Sequence, residues 1–297
     1  MQLTPLVLLT GLLGSVAAHP SGHAHMHRMV HVSERGLPFV KNVHNRPTAE
    51  PKTTAEPAPA STQAPEPKAT IQSTKQTESE VKGFCGSSTG LLDSKAKRVT
   101  IAQVMYTGNL GTDNGCEWGS NLMVVSNDVA HKYKYVQKYT NVDDKPYQVV
   151  CGNKMGADRQ LTGMFKVKGQ NNLIFTLAPG ETKAVVADEN TQGVCAFAPY
   201  EVPLTSHGQY AGVWAEFDFG NTSNNGWSGA DCSSLVAQAY NMDVPGCRMS
   251  HGGVNSDILP GGIGNNAYTK GMEELDGIGL NIVPGPCTIE VKVGFSG

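Results

Sequence analysis

The folded part of this sequence predicts a mostly β protein, a disulfide-stapled β-sandwich with long loops and a few short helices. Three observations carry that prediction. Short runs of β-branched and aromatic residues, bounded by Gly, Pro, Asn and Asp, recur from about residue 99 to the C-terminus. Seven cysteines (Cys85, Cys116, Cys151, Cys195, Cys232, Cys247 and Cys287) are dispersed over the same stretch without a C-x₂-C pair. That is the pattern of disulfides in an oxidising compartment and not of a metal site. Helical periodicity is confined to brief segments.

Taken in order, strands are expected at 99–106, at 147–151, and at 173–177 ahead of a Pro179-Gly180 turn. Residues 183–188, 212–219 and 287–294 follow the same habit. Asn127 or Asp128 offers a cap for a helical turn into Lys132, and Asp231 offers one for a turn reaching Tyr240. The Gly-rich stretch 252–264 reads as loop, and 188–193 as a strand end turning at Gly193. An odd number of cysteines leaves at least one thiol free or paired between molecules, and spacing alone leaves the connectivity open.

Ahead of the folded part lie two segments of different character. Residues 1–18 read as a cleavable signal peptide: 6–13 form an apolar core, and Val16-Ala17-Ala18 offers small residues for cleavage. Residues 19–83 are His-rich and then rich in Pro, Thr, Ser, Glu and Lys, with too little apolar surface to offset chain entropy, so a disordered stalk is expected. The globular domain is expected over 84–297. No stretch approaches the roughly 20 apolar residues of a membrane helix, and the expected destination is extracellular. Only 16% of residues are charged and the formal net charge is −3, which argues against nucleic acid as a partner, because that affinity rests on Lys and Arg against phosphates.

Few motifs survive their structural context. His19 would become the mature N-terminus, and His23, His25 and His27 alternate, but a terminus on a flexible stalk holds no ligand geometry. Gly86-Ser87-Ser88-Thr89-Gly90 matches the nucleophile-elbow pattern without the strand and helix that the elbow requires. The segment beginning at Asp188 starts like a calcium loop, but Pro199 stands where the closing Glu would be. Gly262-x-Gly264 lacks the strand that precedes a dinucleotide loop. His131, His207 and His251 are not spaced as a metal pair, and neither a metal nor a cofactor is expected.

The acidic residues have more to offer. Glu216 and Asp218, two apart in a strand, point to one face together with Trp214. Asp231 follows within reach, and a pair of carboxylates such as Glu216 and Asp231 is the equipment for protonating a glycosidic oxygen. The bland alternative is an exposed sheet face with a helix-capping Asp231. Trp118, Trp214 and Trp227 are candidates for stacking on sugar rings, and Asn221-Thr222-Ser223 is an N-glycosylation acceptor.

Several phrases occur together in a familiar order: Trp118-Gly119-Ser120-Asn121, Lys132-Tyr133-Lys134, Gly180-Glu181-Thr182-Lys183, Asp188-Glu189-Asn190-Thr191-Gln192-Gly193, Glu216-Phe217-Asp218-Phe219, Gly226-Trp227-Ser228-Gly229 and Val283-Pro284-Gly285-Pro286. In this the chain resembles the Asp f 4-like secreted fungal allergens. The resemblance implies an extracellular protein bound by host IgE, with no established biochemical activity; a non-enzymatic secreted or wall-associated protein is the expectation that follows.

The order of residues 175–181, Gly193, Ala215-Glu216-Phe217 and Asp231-Cys232-Ser233 is also similar to thaumatin-like proteins. That likeness implies a sandwich with an acidic cleft that binds or cleaves β-1,3-glucan, with Glu216 and Asp231 on two of the cleft's positions. Two departures stand out. The Arg expected after the Gly193 turn is missing from Val194-Cys195-Ala196-Phe197, and the acid expected after Asp231 is replaced in Leu235-Val236-Ala237-Gln238.

Overall fold

The computed structural model describes residues 81–85, 108–112, 115–273, 275 and 277–297. The expected signal peptide, most of the stalk with its histidines, the 86–90 loop and the 99–106 strand lie outside the described residues.

Strands dominate. They are β1 (Leu122–Val125), β2 (Tyr135–Asn141), β3 (Tyr147–Asn153), β4 (Leu173–Leu177), β5 (Thr182–Ala187), β6 (Thr191–Pro199) and β7 (Val213–Asn221). After them come β8 (Trp227–Ser233), β9 (Cys247–His251), β10 (Val254–Leu259), β11 (Ile263–Asn265), β12 (Leu280–Ile282) and β13 (Cys287–Val293). Among the described residues two α-helices are short turns, α1 (Asn127–Ala130) and α2 (Leu235–Ala239), and a 3-10 turn spans Thr222–Asn224.

The strands form two sheets, ordered β1-β5-β2-β13-β9-β10-β11 and β12-β8-β7-β6-β3-β4. Among these pairings only β13 with β2 is parallel. The core lies between the sheets. Period-two alternation sends Cys287, Ile289, Val291 and Val293 of β13 inward and leaves Glu290 and Lys292 in solvent. From the other sheet, Val149, Phe197, Ala215, Phe217 and Phe219 meet them. Full burial of a side chain of this size stabilises by roughly 1.5–3 kcal/mol.

Three disulfides staple the fold. Cys151–Cys195 joins residues that face each other across β3 and β6. Cys232–Cys247 runs from β8 to β9 and so ties one sheet to the other. Cys85–Cys116 anchors the 81–85 segment, whose Phe84 packs edge-on against Tyr133. Cys287 is the odd residue: it is free and buried in the core, and burial pushes its thiol up to about 12.

Several expectations need correcting. Residues 252–264 are not loop but carry β10 and β11. Gly252-Gly253 and Gly261-Gly262, all at positive φ, make the two tight turns flanking β10. The chain does not turn at Gly193, which lies inside β6. It turns over Asp188–Asn190, where Asn190 takes φ +60°. Gly193 is there for space, since a Cβ would sit 2.6 Å from the Phe217 ring. Asp231 caps nothing: it lies within β8, and Ser234 precedes α2. At the first helix Ser126 holds the cap position, with extended backbone.

Candidate functional site

Strand β7 is buried on both faces. Its odd-numbered neighbours Ala215, Phe217 and Phe219 enter the inter-sheet core, so Trp214, Glu216 and Asp218 must lie on the opposite face. The register extends this face across the sheet. Glu216 stands opposite Asp231 on β8, and Asp218 opposite Gln192 on β6. Lys154, one residue past β3, donates its backbone N–H to the Gln192 carbonyl at 2.9 Å and so continues the row.

This face is covered. Met164, Tyr210, Leu235, Val236 and Tyr268 from the connecting segments and α2 form a second apolar cluster with Val150, Val194 and Trp214. Beneath it Glu216 is 1% exposed, Asp231 0% and Lys154 1%. The Lys154 ammonium makes no hydrogen bond among the described residues. Burial pulls it down from 10.5 to about 8, with the Asp218 and Glu216 carboxylates acting against that shift. Asp218 accepts a 2.6 Å bond from the Asn221 amide.

The two candidate catalytic carboxylates therefore stand as a direct cross-strand pair, but inside the protein. Neither an exposed face nor an open acidic cleft is present at Glu216 and Asp231. A glycosidase places two carboxyl groups on either side of a scissile bond, with a path for water, and the covering cluster occupies that space.

The other site candidates are scattered. Trp214, at 2% exposure and with its indole N–H on the Tyr210 carbonyl, is a core residue and offers no stacking face. Trp118 is half-buried and donates to the Met155 carbonyl at 2.9 Å, and Trp227 is half-buried at the start of β8. Asn221 is buried, its amide nitrogen on Asp218 and its carbonyl oxygen accepting from Ser223 and Asn224, so a glycan there requires the amide to leave these bonds. His207 contacts the Tyr240 hydroxyl, whereas His251 bonds the Thr288 carbonyl. No cluster of His, Cys, Asp or Glu able to hold a metal occurs among the described residues.

Two features escaped sequence reasoning. One is a hydrogen-bonded clasp beside β1 and β6. Asn121 and Asn153 exchange side-chain bonds of 2.7 and 2.9 Å, Asn121 reaches Thr191, and Asn109 donates to Asp188. The phrases ending in Asn121 and beginning at Asp188 meet there, and their side chains hold the fold at that end.

The second is a cleft of about 630 Å³ at one pole of the sandwich, where the two sheets meet. It is lined by the 142–145 turn, the start of β3, the 198–203 segment, residues 243–246, Pro260 and the residues just after β13. Tyr200 stands at its rim, 67% exposed. The sequence signal was the acid-rich Asp143-Asp144-Lys145-Pro146 turn and the Tyr200-Glu201 pair after Pro199. Neither has a recognised spacing.

A family model and a sequence relative agree on one family. The model of the Allergen Asp f 4-like domain matches residues 120–293. Allergen Asp f 4 of Aspergillus fumigatus is 38% identical over 196 residues, covering 65% of this chain and 59% of that protein, so the chain spans about three-fifths of the relative's length. Among solved structures, the protein elicitor MoHrip2 from Magnaporthe oryzae matches at 13% identity and a TM-score of 0.34, over 54% of this chain and 99% of its own.

Proposed function

Because the chain belongs to the Allergen Asp f 4-like domain family, we propose that it is a secreted, cell-wall-associated protein that holds wall polysaccharide without cleaving it and is recognised by host IgE. The observation that carries the non-catalytic part is the burial of Glu216 and Asp231 under the second apolar cluster. Acid catalysis of glycoside cleavage needs carboxyl groups in contact with the sugar. Secretion is supported by the signal-like segment 1–18 and by three disulfides spread through the domain.

The test incubates the full secreted chain with insoluble β-1,3-glucan and with fungal wall, measuring depletion from solution and released reducing sugar in the same tube. Retention without release is expected, unchanged in Glu216→Gln. Release that disappears in Glu216→Gln would make the protein a hydrolase. Absence from both pellets would remove the wall association.

A further inference from the structure

The cleft at the pole of the sandwich, unlike the buried carboxylate row, opens to solvent. Its volume falls within the ordinary range for small-ligand sites. Asp143, Asp144, Glu201 and Asp243 line it against a single cation, Lys145. The Tyr147 hydroxyl donates to Asp143 at 3.0 Å and fixes that carboxylate.

The rim is set in place before any ligand arrives. Tyr200 N–H bonds the Pro146 carbonyl at 2.8 Å, Val142 N–H bonds Val293 at 2.9 Å, and Gly294 N–H bonds Gly246 at 2.9 Å. Pro199, Pro203, Pro245 and Pro260 stiffen the same walls. Tyr200 itself takes φ +64°, a backbone conformation uncommon for a bulky residue, and its ring is turned out into water.

We propose that this cleft binds an oligosaccharide carrying free amino groups, its ammonium groups on the Asp143, Glu201 and Asp243 carboxylates and a ring face on Tyr200. The proposal deepens the wall-associated reading and rests on it for its setting. Charge selects the ligand class: four carboxylates around one lysine favour a cation over a neutral sugar and disfavour an anion. The exposed tyrosine ring supplies an apolar face and attracts a nearby ammonium.

The topology argues against an extended peptide. The strands that end at the cleft (β2, β3, β6, β9 and β13) are each paired on both sides, so no free edge is available for backbone addition.

Calorimetric titration of the full chain with a glucosamine tetramer, its N-acetylated counterpart and tetralysine tests the inference. The free-amine tetramer is expected to bind at least tenfold more tightly than either of the others. A Glu201→Gln, Asp243→Asn double variant and a Tyr200→Gly variant, which keeps the left-handed backbone accessible, should each lose about tenfold or more. All three residues are exposed, so thermal melting of the variants should match the parent.

Absence of binding, equal binding of the acetylated tetramer, equal binding of tetralysine, or indifference to the substitutions would each overturn the proposal. Wall retention is read separately, so its loss with tetramer binding intact would strike the proposed function instead.

Discussion

The six-stranded sheet has one face packed against its partner sheet and another packed beneath loops and α2, and β7 contributes to both. On the inner face Phe217 and Phe219 meet β-branched and aromatic residues of the second sheet. On the outer face, at nearly the same burial, the strand carries Glu216 and Asp218 in a neighbourhood that includes Asp231 and Lys154. The inner face is stabilised by removal of apolar area from water. The outer face must hold charge in a low-dielectric setting, where each ion depends on neighbours to offset lost hydration. Burial alone therefore does not separate core from site; the chemistry on each side of the pleat does.

Substitutions on the two faces sharpen that contrast. The largest effect is expected at Phe217→Ala, where loss of a fully buried ring should cost about 3–5 kcal/mol in urea unfolding. A loss under 1 kcal/mol would mean that the inner face is loosely packed.

Next comes pH. Lys154 titrates lower in the folded protein, at about 8, than its ordinary 10.5. Between those values the unfolded chain binds more protons, so stability rises with pH through this window. Relative to a Lys154→Met variant, the parent should gain up to about 3 kcal/mol on going from pH 7 to 10. Burial holds the Tyr135 and Tyr147 phenols above their ordinary value. Their contribution is lost at still higher pH and cancels in the difference. A flat difference would place Lys154 in contact with water.

Smaller again, Asp218→Asn weakens the charge-assisted bond from Asn221 and should cost about 1–2 kcal/mol. At the bottom of the scale, Glu290→Ala removes a 3.6 Å pair with Lys138 between exposed side chains, and unfolding should move by less than about 0.5 kcal/mol.

Much of the fold was legible because alternation and turn chemistry agree. The 173–177 run, closed by Pro179-Gly180, is β4 to the residue, and β7 and β13 fall where β-branched alternation put them. What escaped is equally physical. Two Gly-Gly pairs made 252–264 look structureless, although they only turn the chain at either end of β10. Asp231 has the short polar side chain of a helix cap, yet its partner across the sheet, Glu216, is fifteen residues away in sequence and invisible to local rules.

At the candidate site, spacing correctly set Glu216, Asp218 and Trp214 on one face. It could not show that Met164, Tyr210 and Tyr268, drawn from three connecting segments, would close over them. The cleft has the same origin: its walls come from five separate stretches, and none carries a motif.

Cys287 has a practical consequence. Its sulfur lies in the inter-sheet core and resists ionisation, so an alkylating reagent meets it only when the two sheets part. The protein thus contains its own opening gauge. The rate at which Cys287 is labelled under native conditions, followed by mass, reports how often the sandwich separates and converts rare excursions into a countable product.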